Sequence, residues 1–289
     1  MRFKSVIIAL IIAFAFSIAL TNFLTPAFAQ SAIERSFVPK SNLADAIWSR
    51  HDPNSTLSVD HSAWDGFLAR YVETDGQGVN RVAYGRVSKN DQAGLENYLR
   101  ALEGVDVTKL NRDEQFAYWL NLYNASTVLV VVKNYPLKSI RDVKNNLVDF
   151  QGPFNDAIAK VNGKTLTLNT IESGIVRPVW NDPRLHYAFN CAAVTCPNLS
   201  KKAYTGASLN AQLNAAAKTY VNSPRGIAFE DGKIIASKIY FWYEDDFGGS
   251  ETGILKHINQ YANADLKAKL QGVTSIDKYI YDWSLNEAR

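Results

Sequence analysis

Cysteine and methionine are scarce in this chain, with two of the first and one of the second among 289 residues. Two cysteines cannot build a disulfide scaffold, and a chain this long buries enough core to do without one. Four histidines without ligand-type spacing make no zinc site, and neither a metal nor a cofactor is expected. A Gly-rich phosphate loop and a G-x-S-x-G elbow are both missing, which removes the usual nucleotide-binding and serine-hydrolase signatures. Repeats, low-complexity tracts and an interdomain linker are missing too. A strong excess of either charge is also lacking, at +3 overall. Nucleic acid, which demands a concentrated basic surface, is therefore not an expected partner.

What is present begins at the N-terminus. Arg2 and Lys4 precede an unbroken apolar run from Val6 to Phe16, and Ala27-Phe28-Ala29 fits a small-x-small cleavage site. Residues 1–29 therefore read as a signal peptide, cut to leave Gln30, and the expected location is periplasmic or secreted. Left uncut, the same segment nearly reaches the ~20 residues that span a bilayer, which would be the chain's membrane contact. Its removal takes two basic side chains and no acidic one, leaving 29 basic against 28 acidic groups. Residues 30–57, with Pro39 and Pro53, read as an N-terminal lead-in, and 58–289 as one domain.

Within that domain the spacing of Trp64, Phe67, Leu68 and Tyr71 predicts a helix over Ser62–Tyr71, and a second runs from about Asp91 to Leu102. Val79–Val87 alternates as a strand. Asn111 followed by Glu114 is a capping-box pattern opening a third helix, apolar nearly all round from Phe116 to Val132 and stopped by Tyr135-Pro136. A short helix is expected over Leu166–Val176, a core strand over Leu185–Asn190 and an amphipathic helix over Leu209–Val221. A hairpin turning at Asp231-Gly232, further short helices and a closing strand near Ile276–Trp283 complete the reading. The fold class is α+β, a single domain with a buried central helix packed on a small mixed or antiparallel sheet.

Both cysteines and one histidine fall inside Arg184–Pro197. Cys191 is a candidate nucleophile, His186 its base and Glu172 the group that orients the base. On a flat strand, residues five apart face opposite sides, so the pair needs a break at Asn190, a residue that tolerates unusual backbone angles. The competing reading has His186 inert in the core and a structural Cys191–Cys196 disulfide, since four intervening residues can bring the Cα atoms within the required ~4.4–6.8 Å. Asn121 and Asn124 lie with Glu114 in one stripe of the central helix. They line a site or brace a neighbouring loop, because a buried amide must be paired. Arg177 and Arg184 would dock a substrate carboxylate or form ion pairs around the Pro178–Pro183 loop.

Several blocks together resemble the bacterial and plant family known as domain of unknown function 547 (DUF547). They include Phe116-Ala-Tyr-Trp-Leu-Asn-Leu-Tyr-Asn-Ala125, Ile171-Glu-Ser-Gly-Ile-Val-Arg-Pro178, His186-Tyr-Ala-Phe-Asn-Cys191, Ile239-Tyr-Phe-Trp-Tyr-Glu-Asp-Asp-Phe247 and Tyr281-Asp-Trp-Ser-Leu-Asn286, and reach from about residue 60 to 286. The resemblance implies a domain of unestablished activity. The family usually reads Ile-Glu-His where this chain has Ile171-Glu172-Ser173. Plant members resemble it at the first cysteine, matching Cys191, but have serine at the second, which implies a role for Cys191 beyond pairing. The leading expectation is a thiol-dependent hydrolase or acyl transferase acting on a small peptide-like or amide substrate. The alternative is a non-catalytic periplasmic binding or interaction module for a peptide, glycan or protein partner.

Overall fold

The computed structural model describes residues 34–36, 38–143 and 152–288. The signal-peptide reading of residues 1–29 lies outside the described residues. The chain forms two units, Met1–Pro39 and Lys40–Arg289; in the first, Glu34–Ser36 make one helical turn. Everything below concerns the second. No helix among the described residues is long and apolar enough to cross a membrane.

Helix α1 (Ser62–Tyr71) runs directly into a hairpin of β1 (Val72–Thr74) and β2 (Asn80–Val82). The strand expected over Val79–Val87 is thus shorter, because Ala83 begins a turn and Tyr84–Arg86 coil into a 3₁₀ helix. Helix α2 (Lys89–Glu103) follows, capped by the Ser88 hydroxyl. Helix α3 (Arg112–Asn134) is the axis of the molecule, and sixteen of its residues are buried. Asn111 caps it by accepting the Glu114 N–H at 2.9 Å. The reciprocal half of the capping box does not form. Glu114 instead accepts from Val59 N at 2.7 Å and Gly206 N at 2.8 Å, tying two distant loops to the helix start. Gly206 is obligatory there, since a Cβ would lie 2.6 Å from Glu114 Oε2.

Strands β3 (Ala159–Val161) and β4 (Lys164–Leu166) form a second hairpin, unforeseen in the sequence. Helices α4 (Leu168–Ile171) and α5 (Arg177–Trp180) are joined by a π-helical turn over Glu172–Val176, so the expected helix continues past Arg177. Pro178 has no N–H to give the preceding turn. The carbonyls of Ser173 and Gly174 find partners elsewhere, in Asn42 N at 3.1 Å and Ala44 N at 2.8 Å.

The strand expected over Leu185–Asn190 is not one. Asp182 caps the chain by accepting the Arg184 N–H at 2.9 Å, Pro183 presets a helical φ, and Pro183–Tyr187 form a 3₁₀ helix. This run is buried all round because it threads between two apolar clusters. Leu185, Ala188 and Phe189 enter the cluster around α3, and Tyr187 enters the other. A short run buried on every side carries no periodicity that separates helix from strand.

Helix α6 (Leu209–Val221) leads to β5 (Ile227–Glu230) and β6 (Lys233–Ser237), the hairpin expected at Asp231-Gly232. Short helices α7 (Lys238–Trp242), α8 (Glu251–Tyr261) and α9 (Ala264–Lys269) follow, and β7 (Lys278–Ile280) pairs parallel to β6. The α+β class therefore holds, with the three-stranded sheet mixed as anticipated. The sheet residues Ile227, Ile234 and Ala236 pack in the second cluster, while α3 is surrounded chiefly by α2, α4 and α6.

Two asparagines of α3 hold this arrangement. Asn121 donates to Tyr204 O at 2.8 Å and accepts from Tyr204 N at 2.9 Å. Both partners are buried, so an apolar replacement leaves an N–H and a C=O unpaired. Asn121→Leu is expected to lose about 2–4 kcal/mol of stability in chemical unfolding, and an unchanged midpoint would show that Tyr204 finds other partners.

Candidate functional site

The residues singled out in the sequence collect into two groups that share a pair of tyrosines. The first is a buried ionic cluster. Asp246 Oδ2 lies 2.7 Å from His186 Nε2 and accepts from Arg177 Nε at 2.6 Å, while its Oδ1 accepts from Arg177 Nη2 at 3.1 Å. Glu172 Oε1 faces the other imidazole nitrogen, Nδ1, at 3.7 Å. Tyr243 stacks on the His186 ring with centroids 3.9 Å apart, lies under the Arg177 guanidinium and hydrogen-bonds Glu172. Ser173 accepts from Arg177 Nη1 at 3.1 Å. The π turn positions this set, because it carries Glu172 and Ser173 immediately before Arg177.

The second group is the pair of thiols. Asn124 in α3 donates to Ala188 O at 2.9 Å and accepts from Asn190 N at 2.8 Å, pinning the chain where it leaves the 3₁₀ helix. Asn190 Oδ1 accepts from Ala192 N at 3.0 Å, an Asx turn, and its Nδ2 closes the loop onto Pro197 O at 2.7 Å. Ala192 then takes the left-handed conformation at φ 61°. That reversal directs the Cys191 N–H onto Cys196 Sγ at 2.8 Å. Both thiols are free, Cys196 buried and Cys191 half-buried. The C-terminal segment runs alongside, with Val194 N donating to Ser284 O at 2.7 Å and Asn286 N to Ala192 O at 3.0 Å. It delivers the Tyr281 hydroxyl to Cys191 Sγ at 2.9 Å. Tyr281 belongs to a half-buried aromatic wall, 4.7 Å from Trp242 and 4.8 Å from Trp283.

Electrostatics divides the two sulfurs. Burial pushes the Cys191 thiol up, and the neighbouring Cys196 pushes it further. Burial opposes ionisation of Cys196 as well, but hydrogen bonds from the Cys191 side chain and N–H outweigh it and bring that thiol below its ordinary value. The two shifts run in opposite directions, so of the two sulfurs Cys196 is the one whose charge the surroundings favour. The charges of Glu172 and Cys191 are both felt by the buried phenols of Tyr123 and Tyr243, which links the ionic cluster to the thiols electrostatically.

The structure thus brings Glu172, Arg177 and His186 together, but it does not pair His186 with Cys191. Each imidazole nitrogen faces a carboxylate, and the Cys191 sulfur meets Tyr281 and Cys196. The break in the chain foreseen at Asn190 exists, though the left-handed residue is Ala192. Asn124 braces the thiol loop and Asn121 a neighbouring one. The Arg177 fork is committed to Asp246, and Arg184 to Asp182, Asn210 and Asn214, so neither presents its fork to a substrate carboxylate. Asp246, Tyr243 and Tyr281 were missed as site features in the sequence, which had joined Cys196 to Cys191 only as a disulfide. Their signal was available in part, since the first two lie in the Ile239–Phe247 block and Tyr281 opens the last one. No group of His, Cys, Asp and Glu among the described residues is placed to hold a metal ion.

The family described as "Protein of unknown function, DUF547" matches residues 107–221. The matched span contains α3, the π turn, His186 and both cysteines, and ends before Tyr243, Asp246 and Tyr281. No curated protein and no solved structure matches the chain.

Burial opposes ionisation of Asp246, yet the hydrogen bonds and charges of His186 and Arg177 prevail and lower its carboxyl from 3.8 to about 2. A carboxyl whose folded value is depressed contributes stability that is complete above its unfolded value and is lost as the pH falls through the folded one. Asp246→Asn is expected to be less stable than the wild type at neutral pH, with the gap closing between about pH 4 and 2. Urea unfolding across that window measures it, and a gap independent of pH would contradict the ionic role of Asp246.

Proposed function

We propose that this chain, with its DUF547 region at residues 107–221, is an exported thiol-dependent hydrolase or acyl transferase of peptide-like or amide substrates. The observation that carries the reading is the paired sulfurs. Cys191 is half-buried beside an aromatic wall, and the sulfur next to it is surrounded by hydrogen-bond donors that favour its charge. A thiol is a poor nucleophile until a neighbour accepts its proton. Cys196 fills that role here, in place of the His186 base expected from sequence.

In the acylation step the Cys191 sulfur bonds to the substrate carbonyl carbon while its proton passes to the Cys196 sulfur. The carbonyl π pair moves onto oxygen. As the tetrahedral species collapses, the C–N bond breaks and the Cys196 proton leaves with the amine. Water or an acceptor amine then attacks the Cys191 thioester, giving its proton to Cys196, and the departing Cys191 sulfur recovers it. The Tyr281 hydroxyl meets the Cys191 sulfur, and Trp242 and Trp283 offer flat apolar surface to the substrate. Glu172, His186, Arg177 and Asp246 are positioning residues in this account, because they hold Tyr243, whose phenol feels the charge of Cys191. A binding module with a structural Cys191–Cys196 disulfide is the competing reading.

The test is acylation of the reduced, full chain by an activated ester such as p-nitrophenyl acetate, followed by peptide mapping. The label is expected on Cys191 and to vanish in Cys191→Ser. Cys196→Ser is expected to retain the fold and to acylate at least about tenfold more slowly, the lower end of what positioned proton transfer supplies. Undiminished labelling in Cys191→Ser would overturn the assignment of the nucleophile, and an unchanged rate in Cys196→Ser that of the base.

A further inference from the structure

The same loop has the parts for a chemistry that acyl transfer does not use. Acylation needs one sulfur and a base, and any base would serve. A second thiol held against the first is the requirement for two-electron exchange with a disulfide, in which one sulfur attacks and the other resolves. The loop is built for contact between its sulfurs. Asn190 closes it from both ends, onto Ala192 N and Pro197 O, and Asn124 anchors its start to α3. Arg225 fastens the far side by donating from Nη1 to Cys196 O at 2.7 Å. The left-handed Ala192 then leaves Cys196 Sγ 2.8 Å from the backbone nitrogen of Cys191 itself. A sulfur at that distance from the nitrogen is within reach of the same residue's side chain after rotation about one bond.

We infer that Cys191 and Cys196 are a redox-active dithiol that exchanges with external disulfides, Cys191 attacking and Cys196 resolving. The accessibility of the two thiols assigns the roles, since an external disulfide can approach half-buried Cys191 but not buried Cys196. In the first step Cys191 Sγ bonds to one sulfur of the external disulfide and its proton passes to Cys196. The external S–S bond breaks, and its electron pair leaves on the other sulfur, which is protonated from solvent. In the second step Cys196 Sγ gives its proton to solvent and attacks Cys191 Sγ. The mixed disulfide breaks and the second external thiolate departs with a proton. The balance is one external disulfide, the Cys191 thiol, the Cys196 thiolate and one proton from solvent giving two external thiols and one Cys191–Cys196 bond. The substrate class is small-thiol disulfides of the kind found outside a reducing compartment. Closing the bond withdraws Cys191 Sγ from Tyr281, whose ring touches Trp242 and Trp283. Tryptophan emission therefore reports the reaction.

This inference shares the sulfur pair with the proposed acyl chemistry but does not depend on it. The experiment treats the reduced full chain with excess oxidised glutathione and follows intact mass and tryptophan fluorescence. The wild type is expected to lose about 2 Da with no lasting adduct, to change its emission, and to recover both on reduction. Cys196→Ser is expected to trap one glutathione on Cys191, and Cys191→Ser to react much more slowly. A wild type that keeps the mixed adduct, or that never closes the bond, overturns the inference. Acylation of Cys191 without closure would leave the acyl reading standing alone. Closure without acylation would do the reverse.

Discussion

The arrangement around the thiols depends on one side chain amide. Asn124 sits in a helix buried on nearly every side, where an unpaired amide costs a few kcal/mol, and it meets that requirement with two hydrogen bonds to one stretch of chain. By taking Ala188 O and Asn190 N together it fixes both the end of the 3₁₀ helix and the start of the thiol loop. Each later feature follows from that anchor: the Asx turn at Asn190, the reversal at Ala192 and the meeting of Cys191 N–H with Cys196 Sγ. The architecture and the chemistry of this protein are in that sense one network. A polar group tolerated in the core for structural reasons is also what aims the sulfurs.

The ionic cluster beside the loop is a different kind of device. Arg177, Asp246, His186 and Glu172 are largely desolvated, and such sets stabilise a fold only when every member is paired. Here the pairing is nearly complete, and the π turn makes it so. It shifts the helix register between Glu172 and Arg177 and passes the carbonyls displaced by Pro178 to the Asn42–Ala44 segment. A cluster so fully engaged internally is better suited to hold Tyr243 than to bind a ligand. This is why the Arg177 fork, a natural candidate for a carboxylate in sequence, is turned onto Asp246 instead.

The legible part of the sequence was the part with a period. α1, α2, α3, α6 and the hairpin at Asp231-Gly232 all announce themselves by apolar spacing, caps or turn residues. Leu185–Asn190 does not, because a run buried on every side has no exposed face to mark its period, and the Asp182-Pro183 start decides for a 3₁₀ helix. The candidate site was legible as a set of residues and illegible as a set of pairs. Glu172, His186 and Cys191 are all at the site, yet the partner of His186 is Asp246, sixty residues away, and that of Cys191 is Tyr281, ninety residues away. Such contacts are decided by tertiary packing, which spacing along the chain does not encode.

The central claim is that, of the two sulfurs, Cys196 is the one whose charge the surroundings favour. Selective ¹³Cβ labelling of cysteine makes each thiol visible by NMR, and a pH titration of the reduced protein follows both. The account predicts two coupled steps, the first below the free-thiol value of about 8.5 and reported mainly by Cys196. Tyr281→Phe should raise that first step, because the Tyr281 hydroxyl is one of the donors that favour the charged sulfur. Two independent titrations, both near the free-thiol value and indifferent to Tyr281, would contradict it.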